Sequence, residues 1–235
     1  MKVLALDSSA KSASVAIVED GFIIGEFFIN TSLTHSQTLV PMIDDLLKNT
    51  KCSLDEMDAF AVSAGPGSFT GIRIGISVIK GMAMALDKPC FGVSTLEALA
   101  YNLIGNNTIV SSCMDARRDQ VYNAIFKVNN KRIERLTPDR ALSIDELGED
   151  LKKYGSNIKI VGDGADLCYN RLNSILPDLC VAPEILKYSK ASSIALYALD
   201  NKNNSLSASE LLPQYLRLPQ AQRELKKRLN LNGGI

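Results

Sequence analysis

The sequence contains a single histidine, His35, in 235 residues. An H-x-x-x-H zinc motif is therefore excluded. A Ser–His–Asp triad would have to use His35, and no partner signature surrounds it. Cysteine is sparse and odd in number: Cys52, Cys90, Cys113, Cys168 and Cys180 make 5, with no C-x-x-C pair. That usage points to reduced thiols of a cytoplasmic protein rather than a disulfide framework or metal cluster. Cys90, Cys113 and Cys180 lie in apolar, strand-like runs where burial is expected. A basic excess is missing too, since Lys and Arg total 26 against 26 for Asp and Glu. Proteins that grip nucleic acid unaided usually carry a basic face, so any RNA contact is expected to need help. The start, Met1-Lys2-Val3-Leu4-Ala5-Leu6-Asp7, reaches an acid too soon for a signal peptide. No apolar run is expected to span a membrane, because Ile72 to Leu86 is interrupted by Arg73, Gly75, Lys80 and Gly81.

What the chain does have is a large apolar fraction, 46%, enough for a sizeable α/β core. Val3 to Leu6 reads as a buried strand ending at Asp7. Ser14 to Val18 and Phe22 to Ile29 follow as strands around the hairpin signal Asp20-Gly21. Leu39, Met42, Ile43, Leu46 and Leu47 share one helical face. Thr34 and Gln37 can form a capping box there, but Pro41 lies within, so the helix is kinked or begins near Thr38. Ala59 to Ala64 is a strand, Gly65 to Gly71 a turn, and Ile72 to Leu86 a helix. Cys90 to Val93 is a strand, and Ser94 with Glu97 caps the next helix reciprocally.

The same layout recurs downstream. Thr108 to Met114, Gln120 to Lys127 and Lys131 to Arg135 read as strands, and Ser143 to Tyr154 as a helix. Ile158 to Val161 is a strand, Ala165 to Leu176 a helix, Leu179 to Ala182 a strand and Ser192 to Asp200 a helix. Asp7 and Asp115 each close a first strand, and a Gly-x-Gly turn follows each fourth strand. Two copies of βββαβα predict an α/β fold of the actin/hexokinase/Hsp70 (ASKHA) type. A doubly wound open sheet is the alternative. The expected division is a first lobe over 1–104, a second over 105–217 and a basic tail over 218–235, with the helix at about 191–201 packing back on the first lobe.

Several segments are candidates for chemistry. Asp7-Ser8-Ser9 offers a carboxylate and small residues near a phosphate, or a self-capped turn. Gly65-Pro66-Gly67-Ser68-Phe69-Thr70-Gly71-Ile72-Arg73-Ile74-Gly75 is glycine-rich, but it lacks the G-K-[ST] of a P-loop. Phe69 is an apolar ring in a turn, of more use to an interface than to a phosphate. The following helix carries Gly71, Gly75, Ser77, Gly81, Ala83 and Ala85, small residues that suit close packing on its own sheet or on a partner. Arg117 and Arg118 could bind phosphate or form a solvated ion-pair turn. Arg223, Lys226, Lys227 and Arg228 form the one basic cluster, an RNA contact or a frayed tail.

The glycine-rich segment resembles the signature of the bacterial TsaB (YeaZ) family almost letter for letter, with Ile72 where leucine is usual. Val3-Leu4-Ala5-Leu6-Asp7-Ser8-Ser9, His35-Ser36, Met114-Asp115-Ala116-Arg117-Arg118 and Pro213-Gln214-Tyr215-Leu216-Arg217 resemble it as well. The resemblance runs over nearly the whole chain. It implies a non-catalytic paralogue that scaffolds and activates a TsaD-like catalytic subunit. With a TsaE-like ATPase, that pair transfers threonylcarbamoyl to adenosine 37 of tRNAs that read ANN codons. It implies docking through the helix near His35 and the helix after the glycine turn. The residues for that surface are His35, Leu39, Met42, Ile43, Phe69, Thr70, Ile72, Arg73, Gly75 and Ile76. Vestigial phosphate or nucleotide contacts would fall to Asp7, Ser8, Ser9, Arg117 and Arg118. No metal and no cofactor are expected on the isolated chain, with ATP or ADP only in the complex, tRNA contact only through the complex, a homodimer in isolation, and no membrane. Two other readings stand beside it: an ATP-dependent small-molecule kinase of the same superfamily, and a metallopeptidase after the M22 label of relatives, against which the missing metal ligands argue.

Overall fold

The structure is a computed structural model that describes residues 1–130 and 132–217. Lys131 and the basic tail over 218–235, with Arg223, Lys226, Lys227 and Arg228, lie outside the described residues.

The first half forms β1 (Lys2–Asp7), β2 (Ala13–Glu19), β3 (Phe22–Ile29), α1 (His35–Thr50), β4 (Ala59–Gly65), α2 (Phe69–Leu86), β5 (Cys90–Ser94) and α3 (Thr95–Tyr101). The second half forms β6 (Thr108–Asp115), β7 (Gln120–Val128), β8 (Ile133–Arg135), β9 (Arg140–Ser143), α4 (Ile144–Leu151), β10 (Ile158–Val161), α5 (Ala165–Leu172), β11 (Leu179–Val181), α6 (Glu184–Lys187) and α7 (Ala191–Asp200). The first sheet is ordered β3-β2-β1-β4-β5 and the second β8-β7-β6-β10-β11, the same order copied. In each, the first strand runs antiparallel to the second and parallel to the fourth. This is the doubled βββαβα plan of the actin/hexokinase/Hsp70 fold.

The pleat divides β1 cleanly. Leu4 and Leu6 join α1 and α2 on one face, while Val3 and Ala5 meet α7 on the other. A strand covered on both faces reads as a continuous apolar run, which is why no polar alternation appears there. The second sheet is layered likewise. Cys113, Ile125 and Ile160 pack under α4 and α5, and Val110, Ala124 and Phe126 pack under α3. The last helix of each half therefore lies on the sheet of the other. Ser14 and Glu26 of the first sheet cap α7 from outside, accepting the Ala191 N–H at 2.8 Å and the Ser192 N–H at 2.9 Å. Those two bonds satisfy donors that a helix start leaves open.

Several boundaries differ from the sequence reading, each for a local reason. The third strand of the second half splits into β8 and β9, with Pro138 in the gap, where a missing N–H breaks the ladder. Both pieces pair with β7. α5 ends at Leu172 rather than Leu176, ahead of Pro177. α1 begins at His35 with the Thr34–Gln37 capping box formed and Pro41 inside it. The Ser94–Glu97 box is not reciprocal. Ser94 Oγ accepts the Glu97 N–H, but the Glu97 carboxylate pairs with Arg135 at 2.6 Å. Cys180, expected to be buried, is exposed on the edge strand β11, while Cys90, Cys113 and Cys168 are buried.

α2 starts at Phe69, earlier than the apolar run suggested, because Ser68 Oγ accepts the Gly71 N–H and caps it. By length and composition alone this helix is apolar enough to cross a membrane, a test that a core helix also passes. Its apolar side, through Ile72, Ile76, Ile79 and Ala83, lies in the core over the first sheet. Gly75 faces that sheet. A Cβ there would stand 2.5 Å from Ser8 Oγ and 2.9 Å from Leu6 Cδ1. Gly75→Val is expected to lower stability by about 1–3 kcal/mol through overpacking. At ~2–4 °C per kcal/mol for a chain of this size, calorimetry would register a clear fall in Tm. An unchanged Tm would mean that α2 lifts off the sheet without cost.

Candidate docking groove and interlobe cleft

Two concavities lie on either side of the β1–β2 turn. The first is a groove of about 340 Å³ between α1 and α2, lined by His35, Leu39, Val40, Arg73, Ile74, Ser77 and Val78, among others. His35 ties the groove to the turn, its Nε2–H donating to the Ala10 carbonyl at 2.8 Å. On the other side Ser8 Oγ donates to the Gly71 carbonyl at 2.9 Å. The β1–β2 turn thus holds the starts of both helices.

The helical phase sorts the residues expected at a partner surface. Leu39, Met42 and Ile43 of α1 and Ile72, Gly75 and Ile76 of α2 all face the protein's own core. They are correctly apolar but spent on folding, so a substitution such as Gly75→Arg would strike the core rather than a partner. Phe69 is half-buried by its own chain, with its ring 4.6 Å from that of Tyr215. Thr70 and Arg73 are exposed, and His35 is partly so. The small residues of α2 divide as well. Gly71, Gly75 and Ala83 point inward, while Ser77, Gly81 and Ala85 are exposed at four-residue spacing on one outward line with Arg73. A Cβ at Gly81 would meet nothing within 4 Å. Val40, Ile74 and Val78 were not foreseen as groove residues. Placing Arg73 outward and stepping by four along α2 would have found the outer line.

The second concavity, about 450 Å³, lies between the halves, between the β1–β2 and β6–β7 turns, with Gly67, Ser68, Asp163 and Tyr122 in its wall. Asp7 is fully buried at its edge. One carboxylate oxygen accepts the Ser9 N–H at 3.2 Å, and the other has no hydrogen-bond partner. Asp115 makes the matching turn in the second half, accepting the Arg117 N–H at 2.7 Å. Asp163 is exposed in the wall of the cleft, with Asp115 beside it. Loss of hydration, with the carboxylates of Asp115 and Asp7 adding to it, raises its pKa, and the hydrogen bond accepted from the Asp115 N–H opposes this.

Arg117, Arg118 and Asp119 all adopt left-handed backbone, with φ of 66°, 58° and 53°. Such a run is costly for residues with a Cβ. It sends the two arginines apart. Arg117 borders the interlobe cleft, whereas Arg118 borders a neighbouring cavity with Arg171. Ser8 is committed to α2, whereas Ser9, whose Oγ has no hydrogen-bond partner, lines the interlobe cleft with Arg117, so of the residues considered for phosphate Ser9 and Arg117 share one cavity and Ser8 and Arg118 lie outside it. Among the described residues, no three His, Cys, Asp or Glu side chains are placed to hold a metal ion.

Known proteins match this architecture. A family model described as TsaD, tRNA N6-adenosine threonylcarbamoyltransferase, matches residues 29–225. The tRNA threonylcarbamoyladenosine biosynthesis protein TsaB of Bacillus subtilis is 28% identical, over 94% of this chain and 96% of its own. The structure of YeaZ from Pseudomonas aeruginosa superposes with a TM-score of 0.76 at 29% identity, over 92% of this chain and 99% of that one. The (R)-2-hydroxyglutaryl-CoA dehydratase component A of Acidaminococcus fermentans shares the fold alone, with a TM-score of 0.53 at 13% identity over 86% of this chain and 99% of that one. With the doubled sheet, the glycine-rich turn and these matches together, the chain belongs to the TsaD family, in its TsaB (YeaZ) branch, and is a protein of tRNA threonylcarbamoyladenosine biosynthesis.

Proposed function

We propose that this chain is a non-catalytic subunit that scaffolds and activates a TsaD-like catalytic partner. A TsaE-like ATPase completes the assembly for threonylcarbamoyl transfer to adenosine 37 of ANN-decoding tRNAs. The chain works in the cytoplasm, meets tRNA through the complex and pairs with itself when alone. ATP or ADP enters only with the complex. The observation that carries this reading is the outward line Ser77, Gly81 and Ala85 beside the α1–α2 groove. A glycine inside a helix costs about 1 kcal/mol relative to alanine. Gly71 offsets that cost by packing on the β1–β2 turn and His35, and Gly75 by packing on the chain's own sheet, but Gly81 has no such contact. A partner helix laid along this line could approach the α2 backbone closely, with Val40 and Val78 as apolar flanks and Arg73 at the rim.

One observation favours the kinase reading: the buried, unpartnered oxygen of Asp7 at the cleft. Calorimetric titration of the isolated chain with Mg-ATP at millimolar concentration separates the two. Heat of binding would support the kinase, and none is expected.

The scaffold reading predicts that Val40→Asp and Ser77→Arg abolish co-purification with the TsaD-like protein. Both positions are exposed, so Tm should stay within ~2 °C of the parent. Undiminished capture would put the docking surface elsewhere. Gly81→Ala is the more discriminating variant. It is expected to stabilise the isolated chain by about 0.5–1 kcal/mol while weakening partner binding. A variant both more stable and equally well captured would remove Gly81 from the interface. In cells depleted of the chain, tRNA threonylcarbamoyladenosine should fall, and depletion with restored Val40→Asp protein should leave it low.

A further inference from the structure

The last described segment, Leu211 to Arg217, crosses from one half of the molecule to the other. Leu211 is fully buried in the first core, and its carbonyl accepts from Lys80 Nζ at 3.1 Å. The Gln214 N–H donates to the Ala64 carbonyl at 2.7 Å, at the end of β4. A side chain at Gly65, where φ is 126°, would overlap the Gln214 carbonyl, so glycine is required for the segment to lie there. Tyr215 then stacks on Phe69, and its hydroxyl accepts from Arg73 Nε at 2.6 Å. Two residues later Arg217 has reached the second half. It donates to the Ala116 carbonyl at 2.8 Å and to Gln120 Oε1, with its guanidinium 5.5 Å from the Tyr122 ring centre. Those partners lie in and beside the β6–β7 turn, the opposite wall of the interlobe cleft.

We infer that Leu211–Arg217 is a strap that latches the two halves across the cleft, and that Arg73 couples the latch to the α1–α2 groove. Arg73 is the hinge of this device because it serves both sides. Its side chain lines the groove and also holds Tyr215. One residue, Leu216, separates Tyr215 from Arg217, too little chain to absorb a displacement of Tyr215 as slack. A partner that draws Arg73 toward itself would free Tyr215, loosen Arg217 and release the β6–β7 turn. That turn is strained at Arg117, Arg118 and Asp119, so it has a relaxed alternative to move toward. The physiological consequence rests on the groove being the docking surface proposed above. The mechanical coupling does not.

Hydrogen–deuterium exchange on the full chain, with no partner present, tests the coupling. Arg73→Ala and Tyr215→Ala alter only the first half, yet both are expected to speed exchange at Ala116 to Gln120. The expected increase is about threefold to tenfold, the size of one lost hydrogen bond. Arg217→Ala should do the same directly and should also speed exchange at Gln214. Should Tyr215→Ala fail to fold, Tyr215→Phe removes the hydroxyl alone, and Arg73→Lys keeps the charge while removing the guanidinium. Exchange that changes only in the half carrying the substitution overturns the strap. Loss of partner capture by Val40→Asp bears on docking alone, so the two readings can fail separately.

Discussion

The seating of α2 on β1 and β4 is the contact from which the rest of the first half follows. Gly75 lets the helix down until its backbone meets Ser8 and Leu6. At that height Ser8 can reach the Gly71 carbonyl, which fixes the rotation of α2 about its axis. Rotation in turn decides exposure. Ile72, Ile76, Ile79 and Ala83 fill the core, and Arg73, Ser77, Gly81 and Ala85 are left on the outside. A bulkier residue at position 75 would not merely crowd the sheet. It would raise and turn the helix and change which side chains face outward.

The two halves are joined more intimately than a linker would join them. α3 covers the second sheet and α7 the first, so each core is completed by the other half's last helix. α7 is anchored at its start by Ser14 and Glu26, side chains distant in sequence and adjacent in space. Arg135 lies over the Phe126 ring and bonds both Glu97 and Asp139, tying α3 to the second sheet. On the cleft side the two turns face each other and the strap crosses between the halves.

Much of this was legible in the chain order of residues, because the duplicated half repeats not only strands but their terminators. Asp7 and Asp115, and the two Gly-x-Gly turns, announced the doubled sheet. What sequence could not resolve was direction. An apolar residue on α1 or α2 reads the same whether it faces its own sheet or a partner, so Leu39, Met42, Ile43, Ile72 and Ile76, which the resemblance places at a docking surface, lie inward. Gly75 misled for a related reason, since a small residue invites any close neighbour and the neighbour here is Ser8. The inserted strand β9 was hidden by Pro138, which looks like the end of a strand and is instead a break within one. Phe69 looked free because its partner, Tyr215, is far along the chain.

The Asp turn, made twice, carries different loads in its two copies. In the first, Asp7 is fully buried and its turn holds α2 and His35 on one side while lining the cleft on the other. In the second, the Asp115 turn is open, forced through three left-handed residues, and its carbonyl at Ala116 is taken by Arg217. One copy became the footing of the α1–α2 groove. The other kept the strain and the exposure that a movable wall requires. The strap joins the two where they face each other, so a disturbance at the first copy has a direct route to the strained one.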